Sequence, residues 1–456
     1  MANVIPDQVL KVYKTLEENN FEAYFVGGSV RDLLLKRRIK DWDLTTNAIP
    51  EQILKIFPNG FYNNEFGTVG IPVKIGKEGH VAEVTTYRTE TAYKDNRHPE
   101  KVSWGKTLGE DLGRRDFTVN AIALRINDKN VFEIVDPYDG EKDLKKKIIR
   151  AVGDPNLRFK EDALRLLRAV RIATELTFTI EKKTWEKIVE DCALIKNISA
   201  ERIKIELLRI LGSEHPYEGV MLLKDSGLLG FILPELLEGI GVSQVRPGRH
   251  HTTDVFTHNL LSLKFCPSKD PLVRFATLLH DAGKPKVAGE DKEGYVIFHN
   301  HEVAGAKIVA EICDRLRFSK KEKEKVVMLI RQHMFSVNEN QTDAAIRRFI
   351  RKIGVDNVKD MMDLRVADRL GGGTQTAESW RLKLFKEKIE EQLKPAPFSI
   401  NDMAVDGNDV MRILNIKPGP VIGKILNELF AEVDEDLSKN NKDYLEKRIQ
   451  ELGKKI

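Results

Sequence analysis

The sequence has few cysteines and no long apolar run. Among 456 residues only Cys192, Cys266 and Cys313 occur, an odd number lying far apart, which argues against a disulfide framework or a thiolate zinc site and fits a reducing cytoplasm. No apolar stretch approaches the roughly 18 residues that a membrane helix needs, and the opening MANVIPDQVL has neither a basic region nor a cleavable apolar stretch. Neither a membrane partner nor export is therefore expected. Strong charge of one sign is also missing: 74 Lys and Arg stand against 70 Asp and Glu, a formal net charge of +4. That balance neither announces nor excludes a nucleic-acid partner, so the position of the charges must decide. With 41% hydrophobic and 32% charged residues the chain is too apolar for disorder and too polar for a membrane protein, and its length allows two to four globular domains.

What is present begins with mixed strand and helix signals. Val9, Leu10, Val12, Tyr13 and Leu16 recur at helical spacing over residues 6–19, the β-prone run 23–26 follows, and Gly27-Gly28 opens a second helix carrying Val30, Leu33, Leu34 and Leu35. Further strands are expected at 41–45, 69–75, 80–86 and 131–135, which together make a small α/β domain over residues 1–150. From about Asn156 strand signals nearly vanish. Apolar stripes through Leu164, Leu167 and Val170, and through Ile203, Leu207, Leu208 and Ile210, predict a helical segment over 151–215, closed by a break at 212–216. A helical region over 216–394 holds seven of the ten histidines, the Pro-Ala-Pro segment 394–398 reads as a stiff linker, and 395–456 forms a helical tail. The charged run 320–325 reads as the solvated face of a helix.

In the first domain, the segment FVGGSVRDLLLKRRIKDWDLTTN reads as strand, Gly-Gly turn, helix, strand. Two glycines allow close approach of a ligand, the helix N-terminus offers unpaired N–H groups to phosphate, and Arg31 could add a fork of donors. The P-loop and dinucleotide-fold glycine patterns are both missing, and a tight turn is the plain alternative. Asp41 and Asp43, at i and i+2 of a strand, are expected on one face, where two anions repel unless a divalent metal neutralises them. A lone Asp-x-Asp serves equally as solvated or capping aspartates, but after a phosphate turn it points to a metal pair. Glu83, acidic within a half-buried strand, is either a third ligand or a salt-bridged strand carboxylate.

Further on, Asp162, Arg165, Arg168 and Arg171 step at i+3 beside an apolar stripe, so they are expected along one helix edge. Three arginines in a row repel one another, and an anionic ligand explains them; a surface ion pair between Asp162 and Arg165 is the alternative. The functional reading uses hydrogen-bond polarity. A carboxylate accepts from the amino group of cytosine or adenine while a guanidinium donates to the neighbouring ring nitrogen, and uracil and guanine present a carbonyl there instead. Such a pair selects C and A without a template.

In this order, GGSVRD, DWD, EDLGRRDFTVNA, DPYDGEKDL with IIRAVGDP, RFKEDALRLLRAVR and ERIKIELLRIL resemble the motifs of the bacterial-type (class II) CCA-adding tRNA nucleotidyltransferase and poly(A) polymerase family, over roughly residues 20–235. The resemblance implies an α+β chain: a polymerase-β-like head with a mixed sheet, then an all-α neck, an HD-type body and a tail. It implies that Gly28 and Arg31 hold nucleotide phosphates, that Asp41 and Asp43 bind Mg²⁺, and that Arg115 is another nucleotide contact. It further implies that Asp162 and Arg165 select the base, with Arg168 and Arg171 as additional nucleotide contacts. The implied reaction is attack of a tRNA 3′-hydroxyl on the α-phosphate of CTP or ATP, adding C, C and A. The segment 86–110 resembles the flexible loop of members that complete CCA, while poly(A) polymerases, A-adding and CC-adding members share the catalytic motifs.

His258, His280, Asp281, His301, His333 and Asp368 follow the ordered pattern of the HD superfamily of metal-dependent phosphohydrolases, with LLHDAGKP the most telling piece. Imidazoles and carboxylates suit one or two first-row divalent ions, such as Mn, Ni, Co or Fe, that activate water at a phosphate. The resemblance implies phosphatase or cyclic phosphodiesterase activity, or a scaffold only, and a phosphohydrolase whose head merely binds nucleotide is the rival from another class. His80, His98 and His215 read as structural and His299 is undecided. A tRNA acceptor arm, held by shape and backbone, calls for dispersed cations, for which Lys145 to Lys147, Arg347, Arg348, Lys352, Lys442, Lys447, Arg448, Lys454 and Lys455 are candidates, as is the turn at 418–423. Each cluster alone is as readily solvated surface.

Overall fold

The computed structural model describes residues 5–39, 41–64, 67–76, 78–93, 99–127, 131–244, 253–393 and 399–454. The expected linker at 394–398, His98 and Lys455 lie outside these. The chain divides into two compact units, Met1–Leu237 with Arg315–Phe318, and Glu238–Asp314 with Ser319–Ile456. The break expected at 212–216 lies inside the first unit, between a helix ending at Leu211 and one starting at Pro216.

The first unit opens with α1 (Asp7–Glu18), which buries Val9, Val12, Tyr13 and Leu16, the stripe its period predicts. Then come β1 (Ala23–Val26), α2 (Gly27–Leu34), β2 (Trp42–Thr46), α3 (Pro50–Ile56), β3 (Phe61–Asn64), β4 (Thr68–Ile75) and β5 (Glu78–Thr86). Strands β6 (Arg88–Tyr93) and β7 (Pro99–Trp104) pair with each other as a separate antiparallel ribbon in the segment expected to be a loop. After α4 (Leu108–Gly113), β8 (Ala123–Ile126) and β9 (Phe132–Val135) complete a seven-stranded sheet in the order β3-β4-β5-β2-β1-β8-β9. The sheet is mixed: β2 and β5 run parallel, with Asp43 opposite Glu83, and the other neighbours are antiparallel. Phe25 on β1 stacks on Tyr13 of α1 at 5.2 Å and meets Trp42 edge-on at 5.7 Å, which fixes β2 beside β1.

The rest of this unit is helical: α5 (Gly140–Lys146), the short β10 (Ile148–Ile149), α6 (Pro155–Glu161), α7 (Leu164–Leu176), β11 (Thr179–Ile180), α8 (Lys182–Asp191), α9 (Ala200–Leu211), α10 (Pro216–Asp225), α11 (Leu229–Ile232) and α12 (Pro234–Leu237). One expectation fails here. Asp162 is not on the helix of the three arginines: it has extended backbone (φ −144°) between α6 and α7, and its carboxylate accepts the Leu164 N–H at 3.0 Å. A short acidic side chain capping the next helix competes with continuing the last one.

The second unit holds α13 (Val255–Lys264), α14 (Pro271–Leu279), α15 (Lys284–Val287), the hairpin β12 (Ala288–Glu290) and β13 (Val296–Phe298), α16 (His301–Arg315), α17 (Lys320–Gln332), α18 (Asp343–Ile353), α19 (Val358–Gly371) and α20 (Trp380–Gln392). Helices α21 (Gly407–Leu414), α22 (Pro420–Glu435) and α23 (Lys442–Gly453) share a core of Val410, Ile425, Leu429, Val433, Leu445, Ile449 and Leu452. Arg347 is not the surface cation that was expected: it is buried on α18, with Nε on Asp434 of α22 at 3.1 Å and Nη1 on Gln392 at 2.6 Å. Arg348 and Lys352 of the same helix are exposed. Among the described residues, no helix is long and apolar enough to cross a membrane.

Candidate active site and candidate metal centre

β1 delivers the chain to Gly27, whose φ of +72° turns it sharply into α2. A Cβ there would lie 3.1 Å from Arg115 Nη1 and 3.4 Å from Asp43 Oδ2, so the glycine is the gap through which the helix mouth, the guanidinium and the strand carboxylate meet. The sequence marked the doubled glycine as a place where a ligand approaches, but the expected phosphate contact fell on Gly28 alone, whereas Gly27 makes the turn.

Asp43 is half-buried on β2, while Asp41 lies on the exposed bend before it, so the two are not strand neighbours as expected. Burial above all pushes the Asp43 carboxyl up to about 6; Arg115 and Arg31 work against this, and the Glu83 and Asp41 charges add to it. Three carboxylates thus share one field. A group lifted by burial and two like charges is one that a bound cation relieves, so the donor set fits a divalent ion.

Arg115 Nη2 bonds Asp111 Oδ2 at 2.9 Å, and its buried Nε has no hydrogen-bond partner among the described residues. Asp111 is itself buried and binds Arg114 Nη2 at 2.8 Å through its other oxygen. Arg31, expected to present its fork to phosphate, spends it inside the protein: Nε and Nη2 donate to Asp32 at 2.9 and 3.0 Å, and Nη1 to Asn120 at 2.9 Å.

The row on α7 is likewise partnered, by protein carboxylates and carbonyls. Arg165 Nη1 donates to Glu161 at 2.5 Å and to the Arg158 carbonyl at 3.0 Å, and Nη2 to the Arg114 carbonyl at 2.7 Å. Arg168 clasps Asp116, with Glu206 3.8 Å away. Arg171, expected as a nucleotide contact, is buried against Glu206 and bonds Glu175 at 2.6 Å, so its charge is balanced by protein acids. Asp162 pairs with Arg202 on α9 at 2.7 Å. Asp111, Asp116, Asn120, Arg202 and Glu206 all escaped sequence reasoning; only the i,i+4 spacing of Asp111 to Arg115 and of Asp116 to Asn120 gave a local hint.

In the second unit, His258, His280 and Asp368 form one triad and Asp281, His301 and His333 another, each with its ligand atoms within 4.8 Å of one another. All six predicted residues are therefore brought together; His299 is exposed and in neither triad. Asp281 joins the sets: Oδ2 lies 3.4 and 3.3 Å from Nε2 of His258 and His280, and Oδ1 lies 3.3 and 3.7 Å from Nε2 of His301 and His333. Nδ1 of His280, His301 and His333 donates to the carbonyls of Thr277, Phe298 and Ile330 at 2.8, 2.9 and 2.7 Å, which turns each Nε2 inward as a ligand requires. Burial opposes charge on His280, but Asp281 and Asp368 outweigh it and hold its pKa at about 10. Both carboxyls are held well below the usual range against burial, Asp281 by His280 and Lys284, Asp368 by His258 and His280. Inward-facing imidazoles crowded on shared carboxylates fit one or two divalent cations.

Acidic groups beside a donor-rich helix mouth suit phosphate chemistry, and the protein belongs among the nucleotidyltransferases. Residues 23–150 match the family described as Poly A polymerase head domain, 177–239 the probable RNA and SrmB-binding site of polymerase A, and 258–372 the HD domain. The chain belongs to the CCA-adding enzyme family. It is 30% identical to the CCA-adding enzyme of Limosilactobacillus reuteri (strain DSM 20016) over 97% of this chain and 96% of that one. It is also 30% identical to that of Staphylococcus haemolyticus (strain JCSC1435) over 99% of both chains. The match to the Lactobacillus helveticus (strain DPC 4571) enzyme is 45% identical but spans only 49% of this chain and 55% of that one. The solved structure of the Bacillus stearothermophilus CCA-adding enzyme in complex with CTP superposes with a TM-score of 0.72 and 25% identity, covering 98% of each chain.

Proposed function

We propose that this chain builds the CCA end of tRNA, adding C, C and A in turn to the 3′ terminus from CTP and ATP with release of pyrophosphate, as a cytoplasmic enzyme. The observation that carries the reading is Asp43, lifted to about 6 in a shared field with Glu83 and Asp41 and directly beside the Gly27 helix mouth. The full-length relatives named CCA-adding enzyme support the same activity.

Asp41 and Asp43, with Glu83 alongside, would hold Mg²⁺. Such ions, when bound, offset triphosphate charge and make the attacking hydroxyl a better nucleophile. The first-turn N–H groups after Gly27 and Gly28 and the Arg115 guanidinium receive the phosphates, and Arg31, tied to Asn120, shapes that mouth. The tRNA 3′-oxygen bonds the α-phosphorus, the bond to the bridging oxygen breaks, pyrophosphate departs with the electron pair and the hydroxyl proton passes to solvent. Asp162 and Arg165 read the base, and Arg168, through Asp116, aligns α7 with the head; catalysis rests on positioning and charge.

The test is extension of tRNA lacking CCA with CTP and ATP supplied separately and together. Three added residues requiring both nucleotides is the expected result; long A tails would assign poly(A) polymerase instead, and no extension would defeat the reading of the head.

The two joined triads favour a second activity alongside the first: hydrolysis of a phosphoester, such as a 2′,3′-cyclic phosphate or a terminal phosphate on a damaged tRNA end, with Mn, Ni, Co or Fe. Its test is metal analysis of the purified protein. Absence of any ion, with none taken up from Mn²⁺ or Ni²⁺, would remove this reading.

A further inference from the structure

Asp162 does not stand alone at the start of α7. Arg202 Nη2 donates to its Oδ2 at 2.7 Å and Nη1 to its Oδ1 at 3.3 Å, a two-point contact that fixes the plane of the carboxylate. The Leu164 N–H, at 3.0 Å from Oδ1, fixes it from a second side. A carboxylate offers about four acceptor positions, so these three bonds leave one, on Oδ2. Arg165 shows the matching economy: its three bonds to Glu161 and to the carbonyls of Arg158 and Arg114 leave Nε and one Nη2 hydrogen. Both Asp162 and Arg202 reach the surface, with side chains 22% and 30% exposed, so the remaining acceptor can meet a ligand.

The place of Arg202 on α9 supports a purpose beyond helix stability. It is the third residue of α9, in the first turn, where the helix dipole disfavours a cation and favours an acid such as the neighbouring Glu201. There it meets the Asp162 carboxylate, which a cation at that place neutralises.

We infer that Arg202 is a specificity-determining positioning residue, holding Asp162 in the one orientation in which Oδ2 accepts from the amino group of cytosine or adenine and opposes the carbonyl of uracil or guanine. The inference rests on the proposed role of Asp162 as base reader. A carboxylate free to turn about its side-chain bonds still accepts hydrogen bonds, but it no longer meets the wrong carbonyl head-on, so the penalty against UTP and GTP falls.

The experiment measures kcat/KM for single-nucleotide extension of tRNA with CTP, ATP, UTP and GTP, in the full-length protein and in R202A, R202K, R202Q, D162A and the D162A/R202A double variant. The expected result is a CTP:UTP and ATP:GTP preference reduced about tenfold or more in R202A, partly restored in R202K, and no worse in the double variant than in D162A. Should R202A not fold, R202Q, which keeps a polar side chain but is too short for the two-point contact, carries the same expectation. An equal loss for right and wrong nucleotides in R202A or R202Q would mean a merely structural role and overturn the inference while leaving Asp162 as reader. Full discrimination retained by D162A is a different outcome, and it would overturn the base-reader assignment itself.

Discussion

Arg168 closes on Asp116 with Nε and Nη2 at 2.8 and 2.6 Å from the same carboxylate oxygen. The other oxygen of Asp116 takes the Phe117 N–H at 2.8 Å and Asn120 Nδ2 at 3.0 Å, and Asn120 in turn holds Arg31 at 2.9 Å. A continuous chain of bonds therefore runs from the mouth of α2 to the middle of α7. Burial opposes ionisation of Asp116, but Arg168 outweighs it and keeps the carboxyl well below the usual range.

Replacing Asp116 by Asn keeps the shape and removes the charge. Because Asp116 is buried and Arg168 partly exposed, the pair sits between the surface and interior regimes, and a loss of about 2 kcal/mol is expected. Urea denaturation measures it, and tRNA extension should slow in parallel as Asn120 loosens its hold on Arg31. An unchanged midpoint would show that the pair adds nothing to stability.

Gly27→Ala places a methyl between Arg115 and Asp43 at a φ of +72°. The conformational strain alone is about 1 kcal/mol, so the protein should still fold, while displacement of either side chain by a few tenths of an ångström should lower kcat for CTP addition about tenfold or more. Activity equal to the parent would argue against this crossing as the phosphate site.

Asp111 supplies a pH dependence. Burial opposes its ionisation, yet Arg115 and Arg114 outweigh it and leave a pKa of about 2 against an ordinary 3.8. A carboxyl depressed in the folded state adds stability that is complete above the unfolded value and is lost as pH falls through the folded one, here between about pH 4 and pH 2, worth about 2 kcal/mol. Asp111→Asn should therefore be less stable than the parent at pH 6, with the difference shrinking towards pH 2 in denaturant titrations.

Much of the architecture was legible in the sequence. The period-3.6 stripe of α1, the apolar run of β1 and the glycine pair gave strand, turn and helix to within a residue or two. The six metal-ligand candidates were legible because their order is itself a pattern. The break at Asp162 was hidden, since the apolar period runs on through it and the cap that stops the helix is a single side-chain bond. The partners of the arginines were hidden for another reason: Asp116 lies 52 positions from Arg168 and Glu206 lies 35 from Arg171, and no local signal couples residues so far apart.

Asp281 should control ion uptake in the second unit. Mn²⁺ or Ni²⁺ that binds only the folded protein raises the melting temperature, by the equivalent of about 3 kcal/mol at a hundredfold excess over Kd. Calorimetry should show that rise in the parent and its absence in Asp281→Ala, because that carboxylate faces both triads. CCA addition should be unaffected by the substitution; joint loss of both would contradict two independent sites.

The carbonyls of Thr277, Phe298 and Ile330 hold three imidazoles in place through Nδ1. Those rings need no reorientation to receive an ion, so little side-chain freedom is surrendered on loading. Selection among ions then falls to charge, size and preferred coordination number. Exchange of one ion for another would then leave the helices that carry these histidines in place.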